Sequence, residues 1–339
     1  MSKETKIRLS DIAAKMNVST VSVSKALAGK SGVGDELRQR ILDCANEMGY
    51  KQKKGIVIGA DFHGATGNIG IVAPVRFFDR HGSFYWTLYN AISRELLSYG
   101  YYAIIEQLTD DMEFDLTLPR VIKDGKVDGI MIMGQVSESY AHYFSQNYKS
   151  FVFLDFSVGE LQDDCVTSDN FYLEYLLTRH LINNGHRKLR FVGTFNSTTS
   201  INDRYMGFAK ALLENNIPVS IDDVIPDRDA RGGIVIPPLP EDDLPSAFVC
   251  NCDETAVRLI TELRSHGIRV PEDVSVVGFD DFYAAPYDGP ALTTVAVDFE
   301  AMARTVVDVL LRKINGQPYN KGCTVVGGKL VFRDSDKPV

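Results

Sequence analysis

Four carboxylates and one arginine stand where apolar runs give way to polar ones. Asp155 closes FVFLD, Asp280 and Asp281 close SVVGFDD, Asp253 follows AFVCNC, and Arg204 opens the helical run RYMGF. An ionised carboxylate accepts from hydroxyl groups and an arginine donates a planar fork, so the set suits recognition of a hydroxyl-rich small molecule. A basic residue at a helix start opposes the helix dipole, which gives Arg204 another task. Phe84, Tyr85 and Phe282 lie near the same run ends and could stack on the apolar face of a sugar ring. Each feature also has a plainer reading: an acid that caps a helix or pairs locally, an aromatic that belongs to the core. Catalytic signatures do not accompany them. The chain has no Gly-x-Ser-x-Gly elbow, no His-Glu-x-x-His and no phosphate loop, so no catalytic residue is assigned. His180 and His186 flank a helix end, where a cationic ring suits the dipole. Cys250-Asn-Cys252 is the one close cysteine pair, and no second pair with metal-ligand spacing joins it. It reads as two thiols at the end of a buried strand; neither a metal nor a cofactor is expected.

A second set lies near the beginning, in DIAAKMNVSTVSVSKALAG, residues 11–29. Ser19, Ser22 and Ser24 are short donors suited to phosphate oxygens, and Lys25 can reach a guanine edge. The elements that would hold them are legible. Ile12, Ala13 and Met16 share one face of a short helix, with Asp11 in its first turn. Asn17 tolerates the left-handed conformation of a tight turn, and Ser19 can cap a second helix. At about 100° per residue, Val23 and Leu27 fall on one side of that helix, and Thr20, Val21 and Lys25 within an arc of roughly 140° on the other. A third helix starts near Asp35, with Leu37, Ile41, Cys44 and Met48 on one stripe. Three small helices with a shared core make a helix-turn-helix, whose second helix enters the major groove of DNA. The plainer alternative is a small bundle whose polar face is merely wet. Charge distinguishes them. Residues 1–54 hold eleven Lys/Arg and six Asp/Glu, a balance of +5, while the whole chain sums to −9, leaving −14 for the remainder. A basic head on an acidic body implies parts with different partners.

The 339 residues suit two or three domains, and 45% hydrophobic with 24% charged residues fits a folded, soluble chain. No apolar run approaches the ~18 residues of a membrane span, so no membrane partner is expected. The opening MSKETKIRLS lacks the apolar core of an export signal, and five scattered cysteines fit reduced thiols; both point to the cytoplasm. From residue 68, apolar runs at 68–75, 102–107, 129–134, 151–156, 189–194, 247–252, 275–280 and 293–298 read as strands. Helical patterns at 84–99, 171–184, 202–215, 253–266 and 299–315 alternate with them. Alternation of this kind builds parallel sheets covered on both faces. Eight strands divide into two sheets with a cleft between them, and ligands bind beyond the carboxyl ends of such strands. The stretch before them, YKQKKGIVIGADFHGATGNIG, is glycine-rich and reads as a boundary; its Lys51, Lys53 and Lys54 can meet phosphates. Within it, GATGNIG between Gly64 and Gly70 is similar to the glycine fingerprint of NAD-binding short-chain dehydrogenases, the best enzyme alternative. That fingerprint needs a helix opening inside it, whereas 69–74 reads as a buried strand.

Residues 9–50 closely resemble the headpiece of the lactose-repressor (LacI) family of bacterial transcription regulators. The shared pattern is an acidic-hydrophobic-Ala opening, a Val-Ser turn, a Val-Ser-(Lys/Arg) second helix and a third helix ending in Gly-Tyr. The resemblance continues through VTSDNFYLEYLLTRHLINNGHRKLRFVG, DRYMGFAKAL, AFVCNCDETA and GIRVPEDVSVVGFDDFYAAPYDGPALTTV, and spans about residues 9–332. It implies an N-terminal all-α helix-turn-helix headpiece plus an α/β periplasmic-binding-protein-like (type I) body of two Rossmann-like subdomains joined by three crossovers. The expected divisions are a headpiece at 1–50, a linker at 51–67 and a core at 68–335. The core's N-subdomain takes about 68–164 plus 297–324, and its C-subdomain about 165–296 plus 325–335. The resemblance also implies that Thr20, Val21 and Lys25 touch bases, that Ser19, Ser22 and Ser24 anchor phosphates, and that Asp155, Arg204 and Asp280 contact an effector with Phe84 and Tyr85. Departures are specific. Asn17 stands where the family usually has Gly, Lys25 where it has Arg, Arg8 where it has Ser or Thr, and Cys252 where many relatives have Asn. The linker lacks the family's hinge-helix motif. The end, VFRDSDKPV, carries no leucine heptad, so a homodimer rather than a tail-built tetramer is expected. The implied function is a cytoplasmic repressor of carbohydrate-utilisation genes, binding double-stranded operator DNA and a sugar-like effector. A solute-binding transport protein would share the body but needs an export signal and no DNA-binding head.

Overall fold

The computed structural model describes residues 9–27, 33–48, 66–78, 84–159, 162–229, 232–240, 244–282 and 287–339. The chain divides near residue 67 into a helical head and a larger body, each taken by itself.

The head holds α1 (Leu9–Met16), α2 (Thr20–Leu27) and α3 (Asp35–Glu47). Asn17 makes the turn with φ of 51°, the left-handed backbone that Asn accepts more readily than other side chains. Ser19 Oγ accepts the Ser22 N–H at 3.0 Å and so caps α2. Helices of this length do not persist alone in water. Their shared core holds them: Ile12, Ala13, Val23, Ala26, Ile41, Cys44 and Ala45 are buried, with Leu37 and Met48 packed against them.

In the body, β1 (Asn68–Pro74), β2 (Tyr102–Leu108), β3 (Gly129–Met133), β4 (Phe151–Leu154), β5 (Cys165–Ser168) and β10 (Cys323–Val326) form a sheet in the order β10-β5-β4-β3-β1-β2. A second sheet pairs β6 (Leu189–Val192), β7 (Ala247–Cys250) and β8 (Ser275–Val277) in parallel. Helices α4 (Phe84–Ser98), α5 (Asp110–Phe114), α6 (Arg120–Lys123) and α7 (Glu138–Asn147) alternate with the strands of the larger sheet. Helices α8 (Asn170–Asn183), α9 (Thr199–Glu214) and α10 (Asp253–Ser265) alternate with those of the smaller, and α11 (Phe299–Ile314) returns to pack on β3, β4 and β5. Strands β3 and β4 are buried along their whole length, as parallel strands covered on both faces must be.

Two details differ from expectation, and one, the strand inside GATGNIG, agrees with it. Strand β5 belongs to the larger sheet, so the chain crosses after Ser168 rather than between 164 and 165, and β10 likewise runs to Val326 rather than stopping at 324. The pair β9 (Thr294–Val297) and β11 (Gly328–Val331) is antiparallel, so the sheets are not wholly parallel. Strand β1 begins at Asn68, inside GATGNIG, which puts a strand where the nicotinamide fingerprint requires a helix. One close approach sets the positions of α8 and α9. A Cβ on Gly207 would collide with the Phe171 carbonyl oxygen, so the two helices meet backbone to backbone.

Candidate functional site

A cavity of about 300 Å³ lies between the two sheets of the body. Arg76, Phe77, Phe84, Tyr85, Gln135 and Asp155 line it from the side of the larger sheet. Thr198, Arg204, Arg228, Asn251, Cys252, Asp280 and Phe282 line it from the other. The strand ends explain the acids. Asp155 follows β4 with φ of 67° and Asp280 follows β8 with φ of 116°. Left-handed backbone turns each chain sharply away from its strand, and Asp is among the few residues that tolerate it.

Asp155 is buried, Asp280 is mostly so, and each is incompletely satisfied. Asp155 Oδ2 accepts from the Tyr85 hydroxyl at 2.8 Å, while its Oδ1 has no hydrogen-bond partner among the described residues. Arg204 Nη2 lies 3.3 Å from Asp280 Oδ1, close enough for charge attraction but without hydrogen-bond geometry, so that oxygen is also free to accept. Burial raises both groups above the ordinary carboxylate range, with Arg204 opposing; Asp280 reaches about 7. Burial, then the neighbouring Asp155, raises Tyr85 well above its ordinary value, so its hydroxyl keeps its proton and donates. Two low-dielectric carboxylate oxygens facing a cavity are acceptors awaiting donors.

Arg204 is held as a fixed donor. Its Nε donates to Asn170 Oδ1 at 2.8 Å, its Nη1 donates to the Asn251 carbonyl, and its guanidinium lies 3.7 Å from the centre of the Phe279 ring. Helix α9 starts at Thr199, behind a Thr198 cap, so Arg204 stands in the second turn rather than at the helix start. Burial at 5% exposure, not opposition to the dipole, is what demands its partners. Behind it, Glu174 is fully buried with neither carboxylate oxygen partnered among the described residues, and burial pushes it up to about 8.

Arg228 enters the cavity from a different kind of support. Asp227 is fully buried and pairs with Arg228. Its oxygens also accept from the Thr194 N–H at 2.8 Å, Asn251 Nδ2 at 2.6 Å and the Thr255 hydroxyl at 2.6 Å. Arg228 Nη2 then reaches Asn251 Oδ1 at 3.2 Å and Cys252 Sγ at 3.9 Å. Gln135 spans the cleft: its Oε1 accepts from the Thr199 N–H at 3.1 Å, and its backbone carbonyl accepts from Arg76 Nη2 at 2.6 Å.

Of the candidates read from sequence, Phe84, Tyr85, Asp155, Arg204, Cys252, Asp280 and Phe282 come together at this cavity. Asp253 does not line it. Its oxygens accept from the Thr294 hydroxyl at 2.6 Å and the Phe282 N–H at 2.8 Å, which clamps β9 and the loop after Asp280 to α10. Arg76, Phe77, Gln135, Arg228 and Asn251 were not singled out. Gln135 ends an apolar run at β3 just as Asp155 ends β4, so the same rule reaches it; Arg228 lies in an irregular segment with no periodicity to mark it.

In the head, Thr20, Val21 and Lys25 are exposed on α2, Val21 at 61%. Ser22 is half-buried and bonds Ser19 at 2.9 Å. Lys51, Lys53 and Lys54, the linker through residue 65 and the Ser24 side chain lie outside the described residues.

Residues 8–53 match the family model for bacterial regulatory proteins of the lacI family, and residues 178–335 match that for the periplasmic binding protein-like domain. An HTH-type transcriptional repressor PurR of Aliivibrio salmonicida (strain LFI1238) is 24% identical over 332 residues, covering 96% of this chain and 98% of its own. An HTH-type transcriptional regulator RegA of Clostridium saccharobutylicum is 27% identical over 96% of this chain and 98% of its own. Among solved structures, a transcriptional regulator CelR–cellobiose complex superposes with a TM-score of 0.67 at 21% identity, over 97% of this chain and 99% of that one. A lac repressor dimer bound to operator and the anti-inducer ONPF gives 0.64 at 22% identity, over 98% and 99%. A lacI-type head followed by a periplasmic-binding-protein-like body is the architecture of the LacI family of bacterial transcription regulators, and this chain belongs to it.

Proposed function

We propose that the protein is a cytoplasmic, homodimeric repressor whose head reads operator DNA and whose body cavity takes a small, neutral, hydroxyl-rich effector. One observation carries this reading: a single chain joins a helix-turn-helix with Thr20, Val21 and Lys25 exposed on its second helix to a cavity in which Asp155 and Asp280 each keep one carboxylate oxygen without a donor among the described residues. Thr20, Val21 and Lys25 face base edges, while Ser19, Ser22, Ser24 and Lys51, Lys53, Lys54 meet phosphates. In the cavity, Asp155 and Asp280 accept from ligand hydroxyls, Arg204 and Arg228 donate, and Phe84, Tyr85 and Phe282 cover the apolar faces of a ring. Three arginines and three carboxylates line the cavity, Glu254 being the third acid, so the balance favours a ligand without net charge. The CelR structure is a complex with cellobiose, which is consistent with a sugar in this scaffold. Planar nucleobases also present N–H donors to such acids, and they belong in the same screen.

A labelled fragment of the promoter of the protein's own gene tests the DNA half. Binding should weaken steeply with salt as lysines cease to displace counterions. A purified protein giving no salt-sensitive shift overturns it. A calorimetric screen of sugars and nucleobases against wild type and Asp280→Asn tests the cavity; equal heats from both remove Asp280 from the site. Effector and DNA must alter each other's affinity by the same factor if the two are linked.

A further inference from the structure

Cys165 and Cys323 stand opposite one another on neighbouring strands. Strands β5 and β10 are parallel with Cys165 and Cys323 in register. Register partners on adjacent strands lie about 4.8 Å apart and point to the same face, which is inside the ~4.4–6.8 Å Cα separation that a disulfide accepts. Both are free thiols, yet their settings differ: Cys165 is buried, and Cys323 is exposed on the edge strand. The Thr167 hydroxyl lies 3.8 Å from the Cys323 sulfur, and Cys165 stands beside Cys323 on the neighbouring strand. The neighbouring Cys165 thiol, and then Thr167, pull the Cys323 thiol below its ordinary value against the opposing effect of burial. The same neighbour, and then burial, raise Cys165. An exposed thiol shifted toward its thiolate form, beside a second thiol in reach, is the arrangement that peroxide-sensing cysteines use.

We propose that Cys165 and Cys323 form a reversible disulfide when the protein meets a peroxide, and that this bond ties together the two strands leading into crossovers between the sheets. The Cys323 thiolate attacks one peroxide oxygen; the O–O bond breaks, an S–O bond forms, and the departing hydroxide takes a proton to become water. The Cys165 sulfur then attacks Cys323; the S–S bond forms, the S–O bond breaks, and the second water carries off the Cys165 proton. Two thiols and one hydrogen peroxide give one disulfide and two waters, with sulfur oxidised and peroxide reduced. A dithiol reductant reverses the bond by exchange. The location gives it a consequence. Strand β5 ends at Ser168 and passes directly into the Asp169 cap of α8, and β10 ends at Val326 before the chain turns into β11. The cross-link therefore fixes the spacing of two connecting segments at their roots, which restricts relative movement of the sheets. That last consequence rests on the proposed cavity function; formation of the bond does not.

Full-length protein is exposed to stoichiometric hydrogen peroxide and its intact mass read under denaturing, non-reducing conditions. The wild type should lose two hydrogens, recover them with a dithiol, and yield one linked peptide pair containing Cys165 and Cys323. The Cys165→Ser variant should stop at a sulfenic acid on Cys323, trapped by a cyclic 1,3-dione, and Cys323→Ser should give neither product. Oxygen uptake at Cys323 without loss of hydrogens, or a link through Cys44, Cys250 or Cys252 instead, overturns the proposal. The wild-type mass and peptide map decide the matter even if a serine variant fails to fold. A switch that forms while the calorimetric screen finds no ligand would leave the disulfide standing and the cavity reading fallen.

Discussion

Asp227 and Asp280 each stand beside an arginine that lines the cavity, and they are built oppositely. Asp227 sits in a ring of donors: a backbone N–H, an amide, a hydroxyl and the Arg228 guanidinium all reach it. Asp280 faces Arg204 without a hydrogen bond to its Oδ1, and burial raises it to about 7. A satisfied buried carboxylate stabilises the fold around it, whereas an unsatisfied one costs stability that only a ligand returns. The difference separates scaffold from site among residues that a sequence displays as the same letter.

The contrast breaks first if Asp227 proves dispensable. Asp227→Ala takes the carboxylate from the Arg228 guanidinium and the acceptor from three donors, and should cost about 3–5 kcal/mol in urea unfolding. Asp280→Asn keeps the shape and removes a charge that burial disfavours, while Arg204 keeps Asn170 and Asn251 as acceptors, so stability should move by no more than ~1 kcal/mol while affinity for a ligand found by calorimetry falls roughly 10- to 100-fold. A variant that lost stability instead would place Asp280 with the scaffold.

Protonation sharpens the same contrast. Asp280 is raised from 3.8 to about 7 and Glu174 from 4.5 to about 8. Between its ordinary and its raised value, each acid keeps its proton when folded and releases it when unfolded. Their contribution to stability is therefore full below about pH 4 and is lost as pH rises to about 8. Glu174→Gln should make the decline shallower by up to about one proton per molecule in pH-dependent unfolding. A ligand that donates to ionised Asp280 should bind more tightly as pH rises through 7, with Asp280→Asn flattening the profile.

The head repeats the contrast at smaller scale. Ser19→Ala removes the cap bond to Ser22 and should cost about 0.5–2 kcal/mol in thermal unfolding of the head. Val21→Ala alters a side chain 61% exposed; it should leave stability within ~0.5 kcal/mol and instead change discrimination among operator variants in competition binding.

The head was almost wholly legible in sequence, because local chemistry sets it: a turn asparagine, a capping serine and stripes at helical spacing. The larger strands were legible because burial on both faces writes them as unbroken apolar runs. Strands β5, β10 and β11 were not. Four residues each, the last two with intermediate and exposed positions throughout, they exist because neighbours offer backbone partners, a fact about tertiary pairing. The cavity divides the same way. Asp155 and Asp280 end apolar runs and are visible, whereas Arg228 and Asp253 have roles fixed by partners distant in sequence.

The seam at Gly207 carries a mechanical consequence. At that point no side chain separates α8 from α9, so a displacement of one helix should carry the other with it. Arg204 stands on one of the two; the other begins where β5 leaves its sheet. A bulkier residue at 207 would pry the pair apart and leave each free to drift without the other.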